Sequence, residues 1–274
     1  MAEALFLTSR LLAAEGVIHG FSLRTGGVST GPLESLNLGR GVGDDADGVE
    51  ENLRRLAGEA GLPGPQAFAS AYQVHGDRVV GASQAAALIA MHEIFPATES
   101  RESDGSHGID ADAVVALEPG IAASVRVADC VPVLLFAPER GIGAAVHSGW
   151  RGTRLSIAGR GVRALQHVAG ANPKTILAAI GPSIGRCCYE VSRDLADRFR
   201  ALFGPEVADD PAQVAHPHLD LRRCIEGALL SAGVRPERIE QVPGCTSCDR
   251  SAFFSHRRDQ GRTGRHLAFV ATRS

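Results

Sequence analysis

The sequence lacks the features that would tie it to nucleic acid or to a membrane. Lysine is almost missing, with Lys174 as its single representative among 28 basic residues. The formal net charge is −3, so no strongly basic surface is indicated for nucleic acid or an anionic membrane. No stretch approaches the roughly 18 apolar residues of a membrane span, and the N-terminus has neither the charged start nor the apolar run of a secretory signal. We therefore expect a cytoplasmic protein.

Several motifs for nucleotides and bases are also missing. The chain contains no G-x-x-x-x-G-K-[ST] loop, no G-x-G-x-x-G after a strand and no H-x-E…P-C-x-x-C pattern. These absences argue against P-loop and Rossmann binding and against cytidine-type deamination. A G-x-S-x-G match does occur at residues 181–185. A nucleophile elbow needs a helix directly after the serine, and residues 186–190 do not resemble a helix start, so a serine hydrolase is a weak alternative.

The remaining pattern is typical of a mixed α/β protein. Its 274 residues, 44% of them hydrophobic, are enough for a substantial core. Amphipathic stripes predict helices over residues 47–61, with Asp47 as the cap, and over 153–169, 192–203 and 219–232. An Ala-rich helical segment is predicted from residue 82, followed by an exposed polar flap at 98–108. Short β-branched runs predict strands at 17–23, 67–74, 111–117, 121–127, 131–136, 142–146, 175–180, 239–242 and 267–272.

Residues 125–153 are the centre of this pattern, because two buried runs in this stretch are each bordered by a metal-competent side chain. Cys130 comes directly before the first run, and His147 ends the second. If the two strands form an antiparallel hairpin, the start of the first lies beside the end of the second. We therefore expect Cys130 and His147 to lie close together.

His75 has the same local sequence as His147, a histidine at a predicted strand end before a small residue. Two imidazoles and one thiolate suit zinc and leave its fourth tetrahedral position open for water or substrate. The gaps of 55 and 17 residues do not establish the site by themselves, and a histidine in such a position is more often structural. The predicted metal ligands are His75, Cys130 and His147.

The other cysteines and histidines favour plainer interpretations. Cys245 and Cys248 form a C-x-x-C pair, but no second pair of that spacing completes a Cys₄ site, and Cys187–Cys188 does not fit the spacing rule. Reduced thiols in a packed loop are the expectation for a reducing compartment. His216 and His218 lie in a proline-containing loop and are expected at the surface.

Two arginines are candidates for binding an anion. Arg24 precedes two glycines, and Arg151 lies at the start of a predicted helix, where backbone N–H groups attract negative charge. A turn with a surface arginine explains Arg24 equally well.

Seven ordered motifs together resemble the laccase-domain family, also called YfiH-type proteins. The resemblance extends from His19 to Arg265, and its motifs are HGFSLRTGGVSTGPLESLNLG, VGDD, QVHGDRV, ADCVPVLLF, GAAVHSGWRGT, IGPSIGRCCYEV and CTSCDRSAFFSHRRDQGRTGR. It implies a single layered α/β domain over residues 1–274, with mixed sheets flanked by helices. It also implies zinc on His75, Cys130 and His147. Ser148 departs from the family, which more often has Ala there.

The resemblance implies a purine nucleoside phosphorylase that cleaves adenosine, inosine, guanosine or methylthioadenosine with phosphate and also deaminates adenosine. Purine nucleoside and phosphate are then the partners of a monomer or small homo-oligomer, and Arg24 and Arg151 are the phosphate candidates. Asn37, Asp129 and Cys187 are further candidates for the active site, without an assigned role.

The family's other names, polyphenol oxidase and peptidoglycan-editing factor, imply different chemistry. Copper is the less favoured metal, since a multicopper oxidase needs many clustered histidines and this chain has 10 in all. A Cys–His hydrolase acting in peptidoglycan precursor editing, with Cys130 as nucleophile and His147 as base, stays open. So does a non-enzymatic module that binds a nucleotide-like ligand.

Overall fold

A computed structural model describes residues 4–85, 88–99 and 109–271. Its six α-helices are α1 (Arg10–Ala14), α2 (Ala46–Glu59), α3 (Trp150–Arg154), α4 (Ile157–Ala169), α5 (Arg193–Phe203) and α6 (Leu221–Ser231). Its strands are β1 (Phe6–Leu7), β2 (His19–Ser22), β3 (Phe68–Ala69), β4 (Val79–Ala85), β5 (Leu88–Phe95), β6 (Ala113–Ala116), β7 (Ala122–Val127), β8 (Val131–Ala137), β9 (Ile142–Ser148), β10 (Leu177–Ile180), β11 (Ile239–Gln241) and β12 (His266–Ala271).

The strands form two mixed sheets. One has five strands in the order β1-β2-β12-β7-β3, and the other has seven in the order β11-β10-β8-β9-β6-β4-β5. Most neighbours are antiparallel, while β3–β7, β4–β6 and β10–β11 are parallel. The prediction of a mixed α/β fold is confirmed.

Alternating side chains along the central strands divide the core into layers. On β8, Val133 and Leu135 pack with helices α4 and α6, whereas Leu134 and Phe136 point into the space between the two sheets. The last strand, β12, repeats this pattern, with Phe269 facing the α2 side of the five-stranded sheet. Successive side chains of a strand face opposite ways, so each apolar strand contributes to two layers of the core. The result is two stacked sheets with helices on both outer faces. The single domain over residues 1–274 stays a prediction.

The hairpin predicted around Cys130 is confirmed. Strands β8 and β9 pair antiparallel, with Val131 opposite Ser148 and Pro132 opposite His147. The residue before β8 and the end of β9 therefore lie at the same edge of the seven-stranded sheet. The site is positioned by that edge.

Four local predictions were wrong. The segment from residue 82 is not a helix: β4 and β5 pair antiparallel there, because this edge hairpin extends the seven-stranded sheet. Helix α2 is capped by Asp45 instead of Asp47, since the Asp45 carboxylate accepts the N–H of Gly48 at 2.9 Å. The helix predicted over 153–169 is divided into α3 and α4, because Ser156 has a left-handed backbone with φ 55°. Only Phe68–Ala69 of the strand predicted at 67–74 is a strand.

The flap predicted at residues 98–108 lies outside the described residues from position 100 onward. In the part of the chain that is described, no helix is long and apolar enough to cross a membrane.

The first residue of β12 is a buried histidine that must stay neutral. His266 is 4% exposed, and its Nε2 accepts the backbone N–H of Phe254 at 2.8 Å. Burial is the largest cause that lowers the pKa of His266 to about 3, and the positive charges of Arg24 and Arg258 contribute to this shift. Protonation would break the contact that holds the loop before β12.

We predict that His266 makes the fold sensitive to acid. Its ordinary pKa of 6.5 in the unfolded chain lies above the folded value, so the unfolded state binds the extra proton between these pH values and stability falls as the pH drops below 6.5. The loss reaches about 4 kcal/mol near pH 3. In urea titrations from pH 7.5 to 4, His266→Gln keeps an acceptor and should flatten this dependence. The exposed control His216→Gln should not, and equal slopes in both variants would contradict the assignment.

Candidate active site

The structure brings the three predicted metal ligands together. One nitrogen of His75, one of His147 and the sulfur of Cys130 lie within 4.8 Å of one another. The rings of His75 and His147 meet edge to face, with centroids 4.8 Å apart. His147 is buried and His75 is exposed, so the cluster lies at a boundary between core and solvent.

The carboxylate of Asp112 fixes both histidines. It lies directly before β6, whose neighbour is β9, and its Oδ1 accepts the Nδ1–H of His147 at 2.7 Å. A carboxylate only accepts, so Nδ1 carries the proton and the Nε2 lone pair of His147 is free for a metal. The same carboxylate accepts the backbone N–H groups of Val74, His75 and Gly76 at 3.3, 2.9 and 2.6 Å. These bonds hold the turn that places His75, which has a left-handed backbone with φ 61°.

The charged groups of the cluster shift each other's pKa towards the charged form. Burial by itself would raise the pKa of Cys130, but the charge of His147 and hydrogen bonds from His147 and His75 lower it below its usual value. Burial would lower the pKa of His147, but the Cys130 thiolate and Asp112 raise it. The pKa of Asp112 also lies below its ordinary value, because His147 and the Gly76 N–H outweigh burial. Without a metal, these shifts give a Cys130 thiolate beside a protonated His147 ring, and a bound metal would take the place of the Nε2 proton.

This donor set fits a metal ion. Two histidine nitrogens and a thiolate are typical zinc ligands with one open position, and a carboxylate behind a ligating histidine is the usual outer support. Gly149 leaves room for the cluster, since a Cβ there would lie 3.0 Å from both the Cys130 sulfur and the His75 ring. The copper implied by part of the family's naming uses similar donors, and the structure leaves the identity of the metal open.

The cluster opens into a cleft of about 820 Å³, within the range of small-molecule sites. Tyr72, Tyr189 and His256 supply aromatic surface to its walls. Four arginines also line it: Arg40, Arg126, Arg257 and Arg265.

Arg126 is the most buried cation of the cleft. Its Nε donates to the carbonyl of Leu38 at 2.7 Å, and no ion pair joins it to a carboxylate in the described part of the chain. Burial and the nearby charge of Arg40 lower the pKa of Arg126 to about 10. Arg40 forms an ion pair with Glu50 at 3.0 Å, so among the described residues Arg126 is the one of these two cations without a carboxylate partner. A guanidinium of this kind suits an anion.

Arg24 and Arg151 are not among the residues lining the cleft. Arg24 donates Nε and a terminal nitrogen to the carbonyl of Glu34, at 2.9 and 2.7 Å, and lies over the ring of Phe254. Arg151 is exposed and lies over the ring of Trp150. Their role in phosphate binding stays a prediction.

The weaker motifs have structural roles. Ser183 of the G-x-S-x-G match is fully buried, its hydroxyl accepts the Nε–H of Arg222 at 2.8 Å, and no helix begins directly after it. The Ser148 hydroxyl forms a hydrogen bond with the Thr153 hydroxyl at 2.9 Å. An alanine, which the family more often has at this position, could not make this bond. His216 bonds to Glu190 at the surface.

The structure contradicts one inference from spacing. The thiols of Cys187 and Cys188 lie beside those of Cys245 and Cys248, within 4.8 Å of one another. A gap of about sixty residues is no obstacle when two loops meet in space. The sequence also did not reveal Asp112 or the arginines of the cleft, although Asp112 in ADAVVAL has the signal of an acidic residue directly before a buried strand.

The chain has close counterparts among known proteins. The family model described as multi-copper polyphenol oxidoreductase laccase matches residues 18–273. A protein named purine nucleoside phosphorylase YlmD, from Geobacillus stearothermophilus, is 37% identical over 271 residues, covering 94% of this chain and 91% of that one. Another named purine nucleoside phosphorylase, from Deinococcus radiodurans, is 38% identical over 255 residues, covering 93% and 88%. The crystal structure of YlmD from Geobacillus stearothermophilus superposes with a TM-score of 0.82 at 33% identity, over 99% of this chain and 100% of that one.

We predict that Asp112→Asn weakens metal binding by 10- to 100-fold, about the effect of losing the outer partner of a ligating histidine. The amide cannot accept from His147 and three backbone N–H groups with the same strength. The affinity is measured by zinc competition against a chelator. Asp77→Asn is the matched control, because Asp77 is equally buried but bonds to Thr98. Unchanged zinc affinity in Asp112→Asn would show that the carboxylate does not orient the ligands.

Proposed function

The chain belongs to the family of the multi-copper polyphenol oxidoreductase laccase model, and from this membership we propose that it is a zinc-dependent purine nucleoside phosphorylase. Its proposed substrates are adenosine, inosine, guanosine and methylthioadenosine with phosphate, and we include adenosine deamination at the same site. The relatives named purine nucleoside phosphorylase support the general activity. The six unpaired cysteines fit a cytoplasmic location.

One observation carries the proposal: the cleft combines a three-ligand metal cluster with an anion site. His75, Cys130 and His147 line the same cleft as Arg40 and Arg126. A phosphorylase needs a place for phosphate and a place for the nucleoside, within reach of each other. An oxidase of polyphenols needs no anion site.

We assign phosphate to Arg126 and Arg40. The guanidinium of Arg126 is held by the Leu38 carbonyl, so little conformational entropy is lost when it binds an anion. Arg257 lies over the ring of Tyr189, with 5.3 Å from its central carbon to the ring centroid. That arrangement gives the purine a flat surface for stacking.

In phosphorolysis, a phosphate oxygen forms a bond to C1′ of the ribose while the bond from C1′ to the purine nitrogen breaks. The purine takes the electron pair and a proton, and ribose-1-phosphate is the second product. Arginines aimed at the phosphate orient it for attack. In deamination, water adds at C6 of adenine and ammonia leaves, which gives inosine.

When bound by His75, Cys130 and His147, zinc supplies a Lewis acid with one open position. Two residues of the chain keep the ligands ready for the metal. Asp112 keeps the His147 proton on Nδ1, and Gly149 leaves space beside the Cys130 sulfur. The thiolate reduces the net charge of the centre.

A Cys–His hydrolase is the second candidate, and one observation favours it. Asp112, His147 and Cys130 form an acid–imidazole–thiol series in which Asp112 orients the imidazole and the imidazole lies against the thiol. This is the arrangement of a cysteine nucleophile with its base. Such an enzyme works without metal, which separates the two candidates.

We predict that the purified protein converts adenosine and phosphate to adenine and ribose-1-phosphate, and adenosine and water to inosine, as measured by mass spectrometry. Cys130→Ser should lose zinc at neutral pH together with both activities. Wild-type protein stripped by a chelator should be inactive and recover with zinc. Activity that survives metal removal and stops on thiol alkylation would instead establish the Cys–His hydrolase, and a protein without turnover would be a binding module.

We predict that Arg126→Lys lowers phosphorolysis at least tenfold, about 1.4 kcal/mol of transition-state binding, because the lysine loses the planar pair of donors. Adenosine deamination needs no phosphate and should fall less. Arg24→Lys and Arg151→Lys test the two arginines predicted from sequence in the same assay. If either of these loses phosphorolysis while Arg126→Lys retains it, phosphate binds at the sequence-predicted residue. Zinc content should be unchanged in all three variants.

A further inference from the structure

A second cluster of metal-competent side chains lies outside the three-ligand centre. It consists of Cys187, Cys188, Cys245 and Cys248, whose sulfurs all lie within 4.8 Å of one another. The closest pairs are Cys188–Cys248 at 3.3 Å, Cys187–Cys248 at 3.5 Å and Cys187–Cys245 at 3.6 Å. Cys245 and Cys248 give the C-x-x-C spacing of zinc-binding turns. The vicinal cysteines supply the remaining two thiols.

The distances match a metal tetrahedron better than a disulfide. A disulfide requires sulfurs about 2.05 Å apart, whereas four sulfurs about 2.3 Å from one zinc ion are about 3.8 Å from each other. The observed separations lie near the second value, and Cys187 is close to Cys245 and Cys248 at once. All four cysteines are unpaired. Four thiols around one point can share a metal, but only two can share one disulfide.

The residues around the four cysteines leave space for the sulfur atoms and can stabilise their negative charge. The backbone N–H of Gly185 donates to the Cys245 sulfur at 3.2 Å. A Cβ at Gly185 would lie 3.2 Å from the Cys187 sulfur and 3.5 Å from that of Cys245. Arg222, half-buried beside the cluster, donates to Ser183 and to the carbonyl of Gly244. An N–H donor and a guanidinium offset the charge of several thiolates around a divalent ion.

We propose that Cys187, Cys188, Cys245 and Cys248 bind a second zinc ion in a closed four-thiolate site. The site has no open position and is structural. It joins the loop after β10 to the loop after β11, which already meet where the Thr246 N–H donates to the Ser183 carbonyl at 3.0 Å.

The joined loops form one wall of the reaction cleft. Ile184 and Tyr189 line it, and the Ile184 N–H donates to the carbonyl of Asp129 at 3.0 Å. The Thr246 hydroxyl donates to the Asp129 carboxylate at 2.6 Å. Asp129 directly precedes Cys130, so the second zinc fixes the approach to the first centre without touching it.

Metal analysis of zinc-reconstituted, reduced protein tests this site. Wild type should hold two zinc ions per chain, and Cys245→Ser/Cys248→Ser should hold one fewer. His75→Ala/His147→Ala should also lose one, and X-ray absorption of that variant should show four sulfur ligands at about 2.3 Å. Cys224→Ser is the control, because Cys224 is a buried thiol outside both clusters and should leave the zinc content unchanged.

Wild-type protein alone also decides the matter if the cysteine variant does not fold. Zinc that never shows more than one sulfur ligand would overturn the proposal, whereas a single zinc ion per chain with four sulfur ligands would support it and leave the first centre empty. So would a disulfide among these four cysteines in protein kept under reducing conditions. The result does not depend on which reaction the first centre catalyses.

Discussion

The carboxylate of Asp112 is the interaction on which the reaction centre depends. It bonds to the His147 ring and to three successive backbone N–H groups around His75. One buried group thereby sets the tautomer of one ligand and the backbone of the other. A charge that is fully buried would be costly alone, and these four donors satisfy it. It lies directly before β6, and its carbonyl accepts the N–H of His147 on β9 at 2.7 Å, so the edge of the sheet fixes its backbone.

The layered fold explains why these groups meet. Strands β6, β8 and β9 are neighbours, and the site gathers where β9 ends and where β6 and β8 begin. Rigid strands packed on both faces hold side chains more narrowly than loops do. The loops after β10 and β11 then close one wall of the cleft and carry the four thiols. The sheet edge thus places the reactive groups, and the loops shape the space beside them.

The donor sets can be compared with those of the oxidase in the family's description. In the described residues, the two clusters contain two histidines in total and five cysteines. Clustered histidines are the usual ligands of multicopper centres, whereas these sets suit zinc. Arg126 lines the same cleft and has no carboxylate partner in the described chain, which suits an anionic ligand. The described clusters therefore lack the histidine-rich donor set that is usual in a multicopper centre.

The sequence by itself determined the fold class, most strands and helices, and the pairing of Cys130 with His147, because strand and helix periods and hairpin register are local properties. An Ala-rich segment was misleading at residue 82, where an edge hairpin overrides helical propensity. An amphipathic stripe was misleading at Ser156, where a left-handed residue divides a helix. Only the tertiary structure decided which distant groups share a site. Asp112 beside two histidines, Arg126 in the cleft and four thiols from two loops result from the order of strands in a sheet, and that order cannot be read from spacing along the chain.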